Sequence, residues 1–413
     1  MTSYLRFLRD NAPFLSAGLL FTVMSSFGQT FFISVFAGEI MEAFDLSNGG
    51  WGLIYTLGTT ASAVVMVWAG ALTDRFRARA LGLAVMLLLA FACTLMALVP
   101  GHWNAALVLV IFLLRFAGQG MMTHIAMVAM ARWFVGTRGR ALSIASMGAP
   151  LGQAIFPVIF VAAMGFVSWR VLWLVAALVL LIATPIAQAL LRQERTPQAI
   201  SAGGKGDGAA GMLGLHWTRA MGLKHWLFWA MIPVILGPPA WGTALFFQQV
   251  NLAEVKGWTL AGFVALMPLF TAVAVASTFV SGWALDRVGA GRLLPLAMIP
   301  WAAGFALMAQ AQSLVGAGLA LVLIGIGSGA QSTLPAAFWA EYYGTRHIGS
   351  IKAAAAAVMV FGSAIGPGVS GVLIDAGISF PSQMLGYSAY FLAAGLCTFL
   401  ALRAVPRPSA QPA

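Results

Sequence analysis

The chain has 413 residues, of which 61% are hydrophobic and 8% charged, with a formal net charge of +11. Soluble domains carry roughly 25% charged residues, so water is excluded as the solvent for most of this surface, and a mean hydropathy of +0.92 assigns it to lipid. The Lys and Arg residues form no aromatic-interleaved basic surface of the kind that tracks phosphates, which excludes nucleic acid as a partner.

A bilayer core takes about 20 apolar residues per helix. The N-terminus, Met1 to Asp10, is short and the first apolar run is long enough to span, so it is read as a retained helix and not a cleaved leader. In chain order, runs of spanning length fall near 14–37, 49–71, 80–100, 104–131, 140–164 and 168–191. They resume near 226–249, 258–283, 291–311, 313–339, 350–374 and 382–403. Cys93 and Cys397 each lie inside a run, as small packing residues without disulfide or metal spacing. The break, Arg192 to Lys224, holds Glu194, Pro197, Gly203, Gly204, Lys205, Gly206 and Asp207, the composition of a flexible linker. The expected fold is an all-α membrane protein of twelve transmembrane helices. Residues 1–191 make an N-terminal six-helix bundle, 192–224 a cytoplasmic linker and 225–413 a C-terminal six-helix bundle.

With the N-terminus in the cytoplasm, nineteen of the 22 Lys and Arg residues fall inside, only Arg170 and Lys256 fall outside, and Arg115 lies within a helix. Cytoplasmic loops carry such an excess. The chain is therefore expected in a bacterial-type inner (plasma) membrane, multi-pass, with both termini cytoplasmic. It is also expected to act as a monomer.

The halves repeat. Gly70-Ala-Leu-Thr-Asp74-Arg75 closes the second run and Gly282-Trp-Ala-Leu-Asp286-Arg287 closes the eighth. Gly118-x-Gly120 matches Gly327-x-Gly329, and Gly136-Thr-Arg138 matches Gly344-Thr-Arg346. Such duplications in transporters place a substrate site near the bilayer midplane. The Gly70–Arg79 stretch resembles the loop signature of the major facilitator superfamily, G-x-x-x-D-R-x-G-R-[RK]. It departs at Arg77 and Ala78, where the signature has Gly and Arg. The second copy keeps Gly289 but has Ala290 and Gly291 before Arg292. Tyr343-Gly-Thr-Arg346 and Gly362-Ser-Ala-Ile-Gly366-Pro367 are most similar to the monocarboxylate and oxalate–formate transporter branch. The acidic-Gly-aromatic start of the animal carriers is absent. The resemblance implies two pseudo-symmetric bundles, rocker-switch alternating access, and a cavity lined by the first, fourth, seventh and tenth helices.

Arg115 lies about halfway along the fourth run. A charge at the bilayer centre costs between ~3 and ~15 kcal/mol, and no acidic residue stands at comparable depth. Its counter-ion is expected to be the substrate, since a planar guanidinium binds carboxylate bidentately. The bland alternative is a guanidinium bonded to carbonyls or Gln side chains, holding two helices together; the superfamily also uses a fourth-helix arginine for proton coupling in some exporters. Gln119 follows on the same helical face. Gln29, Thr30, Tyr55, Gln153, Trp241 and Gln331 complete the candidate substrate contacts, with Thr59 beside them. An isolated membrane polar residue is more often interhelical glue, worth ~0.6 kcal/mol. His124, about 180° from Arg115 at roughly 100° per residue, and Glu39 near the outer end of the first run are the coupling candidates. Every carboxylate falls at a helix end or in a loop, so symport, exchange and facilitated diffusion all remain open.

Conformational roles fall to Gly70, Asp74, Arg75, Gly282, Asp286 and Arg287, with each aspartate expected to accept from a neighbouring helix N-terminus as a latch. Pro238 and Pro239, after Gly237, should bend or break the seventh helix, with Trp241 swinging beside that hinge. Gly148, Gly152, Gly362 and Gly366 are expected to face the opposite half as rocking surfaces. No Gly-rich phosphate loop, metal cluster or catalytic triad pattern is present, so the chain is read as a non-enzyme without a cofactor. The function expected is transport of a small organic anion, a monocarboxylate or relative, possible protons accompanying it. The alternative is a proton-coupled exporter of drugs or apolar metabolites, with Phe27, Phe31, Phe32, Phe246 and Phe247 lining an aromatic cavity.

Overall fold

The computed structural model describes residues 2–134, 137–192 and 210–405. Among these, every regular element is helical. Eleven helices are long and apolar enough to cross a membrane, and one bent pair supplies a twelfth span. We number the spans α1 (Ala12–Gly28 with Thr30–Phe44), α2 (Asn48–Arg75), α3 (Ala78–Leu98), α4 (Asn104–Trp133), α5 (Gly139–Met164) and α6 (Trp169–Leu190). The second set is α7 (Trp226–Phe247), α8 (Leu260–Val288), α9 (Ala290–Gln310), α10 (Leu314–Tyr343), α11 (Ser350–Asp375) and α12 (Phe380–Arg403). The spans agree with the apolar runs because backbone amides in hydrocarbon must be satisfied within the segment, and a helix does that.

The chain divides into two compact units, Met1–Gly203 and Gly204–Ala413. In the first, α1 packs on α5, α2 on α4 and α3 on α6. In the second, α7 packs on α11, α8 on α10 and α9 on α12. The duplication read in three short motifs is thus repeated in the helix pairings. Gly136, one of those landmarks, lies outside the described residues, as do Glu194, Arg195, Lys205, Asp207 and Arg407.

The core of the first unit is aromatic. Phe27, Phe32, Phe36, Phe160 and Trp173 are all 5% exposed or less and meet mostly edge to face. Phe27 and Phe32 are therefore core packing and not the lining of an open aromatic cavity. Outward, Leu53, Leu57, Val67, Trp68, Phe91 and Phe279 are exposed, as a lipid-facing surface requires.

Three local expectations are corrected. First, α7 is not broken at its prolines: Ile232–Phe247 is a continuous helix through Pro238 and Pro239. The Tyr390 hydroxyl donates to the Pro233 carbonyl at 2.8 Å and its ring closes over Gly237, so α12 splints this stretch. Second, the small-residue faces pack inside their own units. A Cβ on Gly148 would strike Leu19 and Val23 of α1, and one on Gly362 would lie 2.9 Å from the Leu236 carbonyl of α7. Third, part of the expected linker is structured. Residues 193–209 lie outside the described residues, but Arg219–Lys224 is a short helix and Trp217 is only 6% exposed. The Trp217 N–H donates to the Met212 carbonyl at 3.1 Å, and its ring sits 5.4 Å from that of Tyr343 on α10. A polar composition concealed one aromatic anchor.

Candidate functional site

The site begins at an interruption in α1. Ser25–Gly28 tightens into a 3-10 turn, Gln29 is extended (φ −88°, ψ 153°), and the α-helix resumes at Thr30. The two halves of α1 meet at 47°. In an unbroken helix the Phe32 amide would donate to the Gly28 carbonyl. Here the Phe32 amide turns to the Gln29 carbonyl at 3.1 Å, an oxygen that also accepts the ordinary α-helical bond from the Ile33 amide at 3.1 Å. The Gly28 carbonyl is left for a side chain, and Arg115 Nη1 donates to it at 3.1 Å. Close approach of α1 and α4 makes this possible. A Cβ on Gly28 would overlap the Leu114 carbonyl oxygen and lie 2.7 Å from Gly118 Cα, while one on Gly118 would lie 2.6 Å from Gly28 Cα.

Arg115 is 1% exposed and opens a π-helical run, Arg115–Met122. Such wider turns concentrate at functional sites. Its Nε and Nη2 have no protein partner, and among the described residues no carboxylate pairs with it. The guanidinium carbon stands 5.3 Å from the Tyr55 ring centroid, and the Tyr55 hydroxyl lies 2.6 Å from Thr30 Oγ1. Buried donors of a cation left unpaired cost several kcal/mol. Nε and Nη2 form one edge of the guanidinium fork, the edge that a carboxylate or phosphate engages with two parallel bonds. What the arrangement can do chemically is hold an anion; among the described residues no group of three His, Cys, Asp or Glu could hold a metal.

Of the residues singled out from the sequence, the structure brings together Arg115, Tyr55 and Thr30. Thr59, one turn beyond Tyr55, is 4% exposed. Gln29, Gln119 and Gln153 are half-buried on α1, α4 and α5. In the second unit, Gln331 is 9% exposed and both its amide atoms lack a protein partner. Trp241 stacks on Tyr387 at 4.3 Å and meets Tyr390 edge-on at 5.8 Å.

The sequence profile of the Major Facilitator Superfamily matches residues 18–367, with a further match over 240–413. The chain belongs to the Major Facilitator Superfamily. It is a multi-pass membrane transporter and not an enzyme. The gentisate transporter of Corynebacterium glutamicum is 25% identical over 379 residues, covering 88% of this chain and 82% of that one. A crystal structure of a bacterial homolog of the human lysosomal transporter Spinster superposes with a TM-score of 0.71 at 18% identity, over 98% of this chain and 99% of that chain. The nucleoside transporter NupG does so at 0.71 and 13% identity, over 96% and 99%. The last two likenesses establish the fold.

At the superfamily's signature positions the two units differ. Asp74 pairs with Arg132 Nη2 on α4, whose Nη1 donates to the Thr73 carbonyl at 2.6 Å. Asp286 and its neighbour Arg287 are exposed, with Arg287 4.0 Å from the Trp283 ring centroid. The N-terminus of α9, just after Asp286, is capped by Glu341, whose Oε2 accepts from the Ala290 amide at 2.9 Å. Arg132 and Glu341 were not singled out from sequence, although they stand 209 residues apart, the spacing of Gly118 and Gly327. Arg75 is exposed, Gly282 has open space around it, and Glu39 is half-buried in Ala37–Phe44. The Gly70 carbonyl lies 3.2 Å from His124 Nε2, so His124 links α4 to α2. The 100°-per-residue arithmetic behind its placement does not survive eight residues of π-helix.

Proposed function

We propose that this transporter is a secondary carrier, active or facilitative, of small organic anions. The class we favour is aromatic monocarboxylates, moved by rocker-switch alternating access. The observation that carries this reading is the unpartnered Nε–Nη2 edge of a guanidinium that is 1% exposed. A carboxylate there would accept two charge-assisted bonds, each worth about 1.5–3 kcal/mol. The Tyr55 ring beside the guanidinium offers an aromatic face, and the Thr30–Tyr55 hydroxyl pair offers polar partners for ring substituents. The gentisate relative supports the same class, because gentisate is a benzene ring with one carboxylate and two hydroxyls. In this reading the Asp74–Arg132 pair is the conformational latch of the first unit. The asymmetry of Lys and Arg supports cytoplasmic termini.

The test is uptake of labelled gentisate, benzoate and short aliphatic carboxylates into proteoliposomes, wild type beside Arg115→Gln, with and without an inward proton gradient. Wild-type uptake of the aromatic acids, abolished in a normally folded Arg115→Gln, is the expected result. Uptake by the variant at an unchanged half-saturation would sink the anchor. No carboxylate uptake by folded wild type would turn the assignment to export of apolar compounds.

A further inference from the structure

We propose that a basic cavity at the paired ends of α3 and α6 binds the headgroup of an anionic phospholipid. The cavity has a volume of about 320 Å³ and is lined by Arg77, Arg79, Leu83, Gln188, Leu191 and Arg192. That volume falls at the lower end of small-ligand pockets, about 300–1,000 Å³. Three guanidinium groups and no carboxylate face it, and it is far along the chain from Arg115 and its partners.

The lining is built, not incidental. Arg79 Nε donates to Gln188 Oε1 at 3.0 Å, and Gln188 Nε2 returns a bond to the Arg79 carbonyl at 2.9 Å. This reciprocal pair ties the start of α3 to the end of α6. It uses only Nε of the guanidinium, leaving both Nη groups for an anion. Arg77 precedes α3 in an extended conformation (φ −67°, ψ 143°) and supplies no side-chain cap. The first amides of a 21-residue helix therefore open at the same rim, with a positive dipole end. Arg77 and Arg192 are exposed, so a ligand can reach them.

Position and apolar surface select a lipid over a soluble anion. The cavity sits where α3 begins and α6 ends, hence at headgroup depth. From Leu83, the same face of α3 continues to Leu87 (43% exposed) and Phe91 (53%). On α6, Leu181 lies two turns before Gln188 and is 48% exposed. A phosphodiester held by the arginines would have its acyl chains laid along these residues. Basic pockets between membrane helices on the cytoplasmic side favour acidic headgroups in this way. A free phosphate would use the arginines and ignore the apolar track.

The experiment incubates the full-length protein in detergent with equal phosphatidylglycerol and phosphatidylcholine. The protein is re-isolated, and the retained lipid is measured by mass spectrometry. Each arginine at a membrane surface is worth about fivefold in anionic-lipid binding. Wild type should retain phosphatidylglycerol selectively. Arg192→Gln should lower the retained ratio about fivefold, and Arg77→Gln with Arg192→Gln about 25-fold. Arg79 is left intact because it holds Gln188. A control pair, Arg219→Gln with Arg403→Gln, should leave the ratio unchanged. Equal loss in that control would reduce the effect to general surface charge and overturn the site. An unchanged ratio in the Arg77 and Arg192 variants, with normal melting, would overturn it too. Displacement of the lipid by millimolar inorganic phosphate would assign the cavity to a soluble anion instead.

Discussion

Replacing Gly28 with Ala tests the architecture of the anion site without touching its charge. The added methyl would overlap the Leu114 carbonyl oxygen and lie 2.7 Å from Gly118 Cα, where carbon atoms prefer about 3.5–4.0 Å. Helices α1 and α4 must part by about 1 Å to reach that distance. The Nη1 bond to the Gly28 carbonyl, 3.1 Å in the native protein, would stretch past any useful hydrogen bond. Overpacking costs about 1–3 kcal/mol, and losing a bond from a charged donor costs a further 1.5–3 kcal/mol or so. At about 2–4 °C per kcal/mol for a unit of this size, the melting temperature should fall by roughly 5–24 °C. Scanning fluorimetry in detergent reads the melt, and proteoliposome uptake of the aromatic acid reads the site. Gly386→Ala is the control, because nothing lies within 4 Å of its Cβ. It should melt at or slightly above wild type, since Ala exceeds Gly in helix propensity by about 1 kcal/mol. A Gly28→Ala protein with wild-type melting and wild-type half-saturation would refute the close-crossing argument.

Asp74→Asn should change stability by less than about 1 kcal/mol, because the pair with Arg132 is solvent-accessible on both sides. Turnover in proteoliposomes should fall more than the half-saturation rises; a pure affinity loss would count against a latch. Trp217→Ala removes a buried indole, a change of about 3–5 kcal/mol, and should speed tryptic cleavage at Arg219 and Lys224 by about 100-fold or more. Unchanged cleavage would show that the indole does not hold this segment. Burial lowers the pKa of His225, and its Nδ1 accepts from the Leu227 amide at 3.3 Å. The folded state thus prefers the neutral ring, so this contribution is complete above the ordinary value of 6.5 and is lost as pH falls below it. Melting scans from pH 8 to pH 5 should show a decline that His225→Asn, also able to cap, removes. Identical slopes in the two proteins would exclude His225 as its source.

The twelve spans were legible because lipid allows so few ways to satisfy a backbone, and a run of apolar residues marks each one. The repeat was legible because Gly70-x-x-x-Asp74-Arg75 and its second copy share spacing and residue type. Arg115 was legible for the same reason in reverse: one cation where lipid tolerates none. The bend in α1 was not legible. Gly28 is one of 46 glycines, and its meaning depends on Gly118, ninety residues away. The prolines of α7 misled because a local rule forbids them in a helix, whereas Tyr390, far along the chain, stabilises the stretch they weaken. Asp286 resembled Asp74 in its motif, but a motif does not record which side chain arrives from another helix. Arg132 reaches the first, and beside the second Glu341 caps the start of α9.

The carbonyl of Gly28 also bears on what happens between two transport events. In the proposed cycle, any mode other than obligatory exchange requires the empty protein to rock about the Arg115 cation with no anion beside it. A helix terminus presents partial negative charge at its last carbonyls, about half an electronic charge. The break in α1 puts such a terminus against Nη1. An empty protein in this arrangement reorients with part of that charge already neutralised. In the proposed cycle, that lowers the barrier to reorientation of the empty protein.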